Sequence, residues 1–206
     1  MKIGIIGAGN IGETVARLLT QAGHVVALSN SRGPETLADV VTEIGPGAQA
    51  LSVEEAATFG EVVLLAVPWR SPEALPPAEA VQGKIVIDAM NQYGPDGIID
   101  LGNSTASEET AKRLPGARLV KAFNTMHFKT LATGGLLGGP SDQRLALFLA
   151  GDDEEAKTIV AKLMDEIGFA AVDTGSLRDG GKRQEPESPI YNKPMTAEEA
   201  RKALST

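Results

Sequence analysis

KIGIIGAGNIGETVARLL, residues 2–19, decides the fold of this chain. It begins with a short apolar run, the pattern of a strand buried on both faces. The run stops at Gly7. Then Ile11, Val15, Leu18 and Leu19 recur at helical spacing, and Gly23 is a natural helix stop. A buried strand therefore enters a helix through a glycine-rich turn. Gly7, Gly9 and Gly12 have G-x-G-x-x-G spacing, a weak signal alone but a mechanical one in this context. Gly7 permits the tight turn, Gly9 lets a pyrophosphate approach the backbone, and Gly12 lets the helix pack on the strand. The helix N-terminus offers free N–H groups and a positive dipole end to that anion. Ala8, Asn10 and Ile11 complete the expected dinucleotide-contact loop.

Further strand patterns follow at 24–29, 48–51, 61–67, 84–90, 117–123, 145–151 and 170–175. Helical patterns lie between them. Pro34 starts one, Ser52 and Glu55 have capping-box spacing before another, and prolines interrupt a short one over 71–81. Others lie near 107–114 and over 153–168. Strand and helix alternate, which predicts an α/β fold with a doubly wound, mainly parallel sheet, that is, a Rossmann fold. Right-handed crossovers give the first six strands the order 3-2-1-4-5-6. Residues 1–176 form the expected dinucleotide-binding domain. Residues 177–206 form a short C-terminal extension, polar and rich in Gly and Pro before a helix from Thr196 with Glu199 completing a capping box. The extension is expected to wrap the domain or a second subunit.

About 20 residues past the glycine loop, where a carboxylate would bind the 2′-hydroxyl of NAD, the sequence reads SNSRG (29–33). The acid is missing. Arg32 can pair with a 2′-phosphate through two N–H bonds, Asn30 and Ser31 add neutral hydrogen bonds, and Gly33 allows close approach. The expected cofactor is NADP(H). The alternative is that Arg32 is a solvated surface residue.

Ligands in such sheets sit beyond the carboxyl ends of the strands, so the residues after each strand form the candidate cleft. Ala66, Val67 and Pro68 are expected beside the cofactor, with Asn91 fixing a polar edge. Trp69, Met90, Asn124, Thr125, Met126 and His127 are the candidate substrate contacts. Each has a plainer reading: helix packing for Trp69, turn bonds for the asparagines, core filling for the methionines. His127 is the sole histidine near this mouth, a candidate proton donor or simply a structural residue. Asp88 is read as capping the loop after its strand, and Lys121 as reaching the sheet edge. His24 is read as a surface residue. Lys182 and Arg183, in DGGKR (179–183), either meet an anionic substrate or are solvated.

With 42% apolar and 22% charged residues, the composition is that of an ordinary globular protein. A net charge of −8 argues against a nucleic-acid partner. The absence of cysteine excludes disulfides and thiol catalysis. No metal-ligand set is visible, and no apolar run approaches the roughly 18 residues of a membrane span. A cytoplasmic protein with a small-molecule partner and no membrane association is expected.

Together MKIGIIGAGNIGETVARLL, SNSRGPETL, VVLLAVPW, VIDAMN and VKAFNT resemble the NADPH:coenzyme F420 oxidoreductase family, at least as far as Ser176. SNSR and AFNT are the more specific parts. The resemblance implies direct hydride transfer between NADP(H) and coenzyme F420, with no obligatory catalytic side chain, in a homodimer. Orientation of the two rings then supplies the catalysis. Alternatives are the same scaffold reducing a flavin, quinone, metal chelate or small carbonyl, or a non-enzymatic NADPH-binding sensor. A hydroxyacid or imine dehydrogenase is disfavoured, because such enzymes need a long helical C-terminal domain.

Overall fold

The computed structural model describes residues 1–205. The first half runs β1 (Lys2–Ile6), α1 (Asn10–Gln21), β2 (Val25–Ser29), α2 (Ala38–Ile44), β3 (Ala48–Ala50), α3 (Val53–Phe59), β4 (Val62–Leu65), α4 (Ala78–Val81) and β5 (Ile85–Asp88). A small hairpin follows, β6 (Tyr93–Gly94) and β7 (Gly97–Ile98). Then come α5 (Ala106–Arg113), β8 (Arg118–Ala122), α6 (Phe128–Thr133), β9 (Ala146–Gly151), α7 (Glu154–Glu166), β10 (Ala170–Asp173), α8 (Asp179–Arg183) and α9 (Ala197–Leu204).

The main sheet has the order β10-β9-β8-β5-β4-β1-β2-β3. With β8 as the sixth major strand, the six strands from the β3 edge inward follow the order 3-2-1-4-5-6. These pair in parallel, with Ile3 opposite Val26 on one side and Val62 on the other. β9 runs antiparallel to β8, and β10 parallel to β9. After β8 the chain stays at the C-terminal end of that strand through α6 and a loop, so β9 starts beside the end of β8 and runs antiparallel to it. The hairpin was not foreseen; its signal was the Pro-Asp-Gly turn between Tyr93 and Ile98.

Alternation along the central strands builds two cores. Ile3, Ile5, Leu28 and Leu64 pack with Val15 and Leu19 of α1. Ile6, Val63, Leu65 and Val86 face the other way, onto Ala56, Val81 and Leu114. Each buried aliphatic side chain contributes about 1.5–3 kcal/mol. A third cluster joins Phe148 and Val172 to Ile190, Ala197 and Ala200, so the C-terminal segment lies against β9 and β10 of its own chain.

Helix starts follow local chemistry. Ser52 with Glu55, Thr105 with Glu108, and Thr196 with Glu199 form complete capping boxes. Asp153 caps α7, accepting from the Ala156 N–H at 3.0 Å. Two expectations fail. His24 is buried, with Nε2 2.9 Å from Glu166 Oε2 and Nδ1 3.2 Å from the N-terminal amine. Lys121 does not reach an edge, because β8 is flanked by β5 and β9; it is 1% exposed. Both depend on partners far away in sequence.

Candidate functional site: two adjoining cavities at the strand ends

The three motif glycines do different work. Gly7 has φ +107°, and a Cβ there would lie 2.4 Å from the Ala66 carbonyl oxygen. A Cβ on Gly12 would lie 1.8 Å from the Gly7 carbonyl oxygen. Those two close the turn and the helix–strand contact. A Cβ on Gly9 would meet nothing within 4 Å. Its missing side chain leaves space for something outside the protein. Gly9 is also the N-cap of α1 and makes no side-chain cap, so the first-turn N–H groups stand open to an anion.

Gly7, Ala8 and Gly9 border a cavity of about 380 Å³ that also holds Asn30, Ser31, Arg32, Ala66, Val67 and Pro68. Asn30 mainly shapes the turn. Its Oδ1 accepts from the Arg32 N–H at 2.9 Å, and its Nδ2 donates to Thr36 Oγ1 at 2.8 Å. Ser31 and Arg32 are exposed at the mouth. Val53, Ser71, Glu73 and Ala74 also line this cavity; sequence reasoning, confined to residues just past strand ends, missed them because they come from the start of α3 and from the 3-10 turn Pro72–Ala74 with Ser71 before it.

A second cavity, of about 640 Å³, adjoins the first and shares Gly9, Ala66, Val67 and Pro68 with it. Asn10, Ile11, Trp69, Arg70, Ala89, Met90, Asn91 and Tyr93 complete it. Asn91 therefore faces this cavity and not the first. Trp69 borders the cleft and is also packed into the fold. It is 7% exposed, donates its indole N–H to the Ala106 carbonyl at 3.1 Å, and lies under the Arg113 guanidinium.

The end of β8 behaves differently. Phe123 is buried with φ 64°, a left-handed conformation that turns the chain before Asn124. Asn124, Thr125 and Met126 are buried, and none lines either cavity. Met126 joins the main core. Asn124 supports the cleft from behind: its Nδ2 donates to Asn91 Oδ1 at 3.0 Å, and the Asn91 Nδ2 donates to the Asn124 carbonyl at 3.1 Å. His127 is exposed and caps α6, its Nδ1 accepting from the Lys129 N–H at 3.3 Å.

The C-terminal segment closes the arrangement. The Tyr191 hydroxyl accepts from the Tyr93 hydroxyl at 3.2 Å and from Asn91 Nδ2 at 3.4 Å. Burial, with the neighbouring Tyr93 hydroxyl, pushes the Tyr191 phenol above its ordinary value, so it stays protonated. Lys182 pairs with Glu185 at 2.7 Å, and DGGKR is a helical turn, not a free tail. Among the described residues no group of three His, Cys, Asp or Glu is placed to hold a metal, and no helix is long and apolar enough to cross a membrane.

A doubly wound sheet, a glycine turn open at Gly9 and an end of β2 that presents Asn30, Ser31 and Arg32 with no carboxylate among them define an oxidoreductase of the NADP-dependent Rossmann class. Residues 2–92 match the family described as NADP oxidoreductase, coenzyme F420-dependent. That stretch, from β1 to the segment after β5, carries the family's pattern. It is 34% identical to the hypothetical protein SMa0349 of Sinorhizobium meliloti, with a TM-score of 0.83 and 95% of each chain covered. It is 25% identical to a candidate F420-dependent NADP reductase of Arthrobacter sp. FB24, with a TM-score of 0.77, covering 95% of this chain and 99% of that one. It is also 30% identical over 177 residues to metalloreductase STEAP3 of Rattus norvegicus, covering 85% of this chain and 34% of the relative. The chain thus spans about a third of the length of the metalloreductase relatives.

Proposed function

We propose that the protein transfers a hydride directly between NADP(H) and coenzyme F420. The observation that carries this is the shared wall: Gly9, Ala66, Val67 and Pro68 border both cavities. NADP(H) supplies the hydride-carrying nicotinamide. The first cavity holds its pyrophosphate at the α1 N-terminus and its 2′-phosphate at Ser31 and Arg32. Val67 and Pro68 then form the apolar ledge between donor and acceptor, and the second cavity takes a flat acceptor. Hydride transfer between two rings held in contact needs orientation more than a side-chain acid. His127, engaged in capping α6, is given no catalytic part.

The likeness to metalloreductases supports a second reading, in which the same cleft passes the hydride to a flavin that reduces a metal chelate. A homodimer rests on the family resemblance and a cytoplasmic location on the composition of the sequence, and sedimentation of the purified chain tests the first. Mixing the protein with NADPH and either oxidised F420 or free flavin separates the two acceptors. The proposal expects the deazaflavin band to bleach; bleaching of flavin alone supports the second reading.

A further inference from the structure

Lys121 is 1% exposed and Asp88 is fully buried, side by side on neighbouring strands. Their charged groups lie 3.7 Å apart. A buried pair of this kind is seldom an efficient stabiliser, because desolvation offsets most of the attraction. The hydrogen bonds show what it holds. Asp88 Oδ1 accepts from the Met90 N–H at 2.9 Å, and the Lys121 ammonium donates to the Met90 carbonyl. Ser107 donates to the remaining Asp88 oxygen at 2.7 Å and holds the carboxylate in place. Both polar backbone groups of one residue are therefore gripped from beneath, and that residue, with Asn91, forms a wall of the second cavity.

We propose that Lys121 is a positioning residue: with Asp88 it clamps the Met90 backbone and so fixes the Met90–Asn91 wall against which the hydride acceptor lies. This rests on reading the second cavity as the acceptor site. Met90 and Asn91 lie beyond β5 and beyond Ala89, and make no ladder bonds of their own with the neighbouring strands. Asn91 meets Asn124, but that contact joins two post-strand segments to each other and not to the sheet. The Ala89 N–H still donates to the Leu65 carbonyl of β4 at 3.0 Å, and the Met90 side chain packs in the second core; the clamp adds the tie of the Met90 backbone to β5 and β8. Burial lowers the Lys121 pKa, and the charges of Asp88 and Glu185 oppose that shift.

The test compares the native protein with Lys121→Met and with the charge-neutral double variant Lys121→Met/Asp88→Asn, which leaves no lone buried charge. The first readout is amide hydrogen exchange, which requires no turnover. Exchange at Met90–Gln92 should rise in the variants while β1 and α1 keep their protection. The second is single-turnover hydride transfer from NADPH to oxidised F420, expected to fall about ten- to a hundredfold with NADPH affinity unchanged. The chain has no cysteine. Lys121→Cys, aminoethylated in the unfolded state and refolded, rebuilds a lysine isostere and should restore both readouts. Unchanged exchange at Met90–Gln92 in the double variant overturns the clamp. A uniform rise across the sheet with matching loss of NADPH binding overturns it too, since that reports general destabilisation. If the native protein fails to bleach F420, the acceptor assignment falls, and the exchange readout still decides the clamp.

Discussion

Replacing Arg32 with alanine should separate NADPH from NADH. The Arg32 guanidinium is exposed at the mouth of the first cavity, with no ion pair or side-chain hydrogen bond among the described residues. Its removal orphans no carboxylate, so stability should stay within about 0.5 kcal/mol. What is lost is the charge-assisted contact with the 2′-phosphate, about 1.5–3 kcal/mol. That converts to a roughly 10- to 150-fold rise in the NADPH dissociation constant. NADH has no 2′-phosphate and should bind within about twofold of its native affinity. Calorimetric titration of both cofactors at one fixed ionic strength reads the difference, and the NADPH penalty should shrink as salt is raised. Equal weakening of both cofactors, or of neither, would refute the assignment of Arg32 to the phosphate.

Three further outcomes follow from particular contacts. Gly9→Ala should weaken NADPH binding at least about tenfold at a stability cost of about 1 kcal/mol or less, because its Cβ meets no protein atom. Gly12→Ala should instead lower the thermal midpoint sharply, and matching behaviour in the two variants would contradict the division of labour. His127→Asn retains a capping side chain and should leave the hydride-transfer rate nearly unchanged; a loss of several hundredfold with NADPH binding intact would show that the imidazole acts in the reaction. Asp153 is held below its ordinary value of 3.8, chiefly by hydrogen bonds from Arg118 and then by the Ala156 N–H. A depressed folded pKa stabilises the fold above the unfolded value and ceases to as pH falls through the folded one. Asp153→Asn should therefore melt earlier at neutral pH, the gap closing below about 3.8; parallel melting curves from neutral to acid pH would contradict this.

The sequence was most informative where the chemistry is local. The glycine turn, the absent acid after β2 and the order of the central strands all rest on neighbouring residues and on a fixed handedness of crossover. Met90 belongs to the same group, because it lies two residues past β5, whose end opens on the cleft. The same reasoning misplaced Asn124, Thr125 and Met126. Phe123 adopts a left-handed conformation that apolar spacing does not reveal, and it turns these residues into the interior. Partnerships across long separations were also hidden. Tyr93 with Tyr191, His24 with Glu166 and the grip of Lys121 on Met90 arise only when the sheet is assembled. Asp88 is the intermediate case: its bond to the Met90 N–H is a local turn contact, while its pairing with Lys121 is not.

The central claim is hydride transfer from NADPH to a deazaflavin in the second cavity. Rapid mixing of the protein with NADPH and oxidised F420, followed at the deazaflavin's visible band, tests it most directly, with NADH and free flavin as parallel controls. The account predicts rapid bleaching with NADPH and little with NADH. Tight NADPH binding with no bleaching would contradict the assignment of F420 as the acceptor.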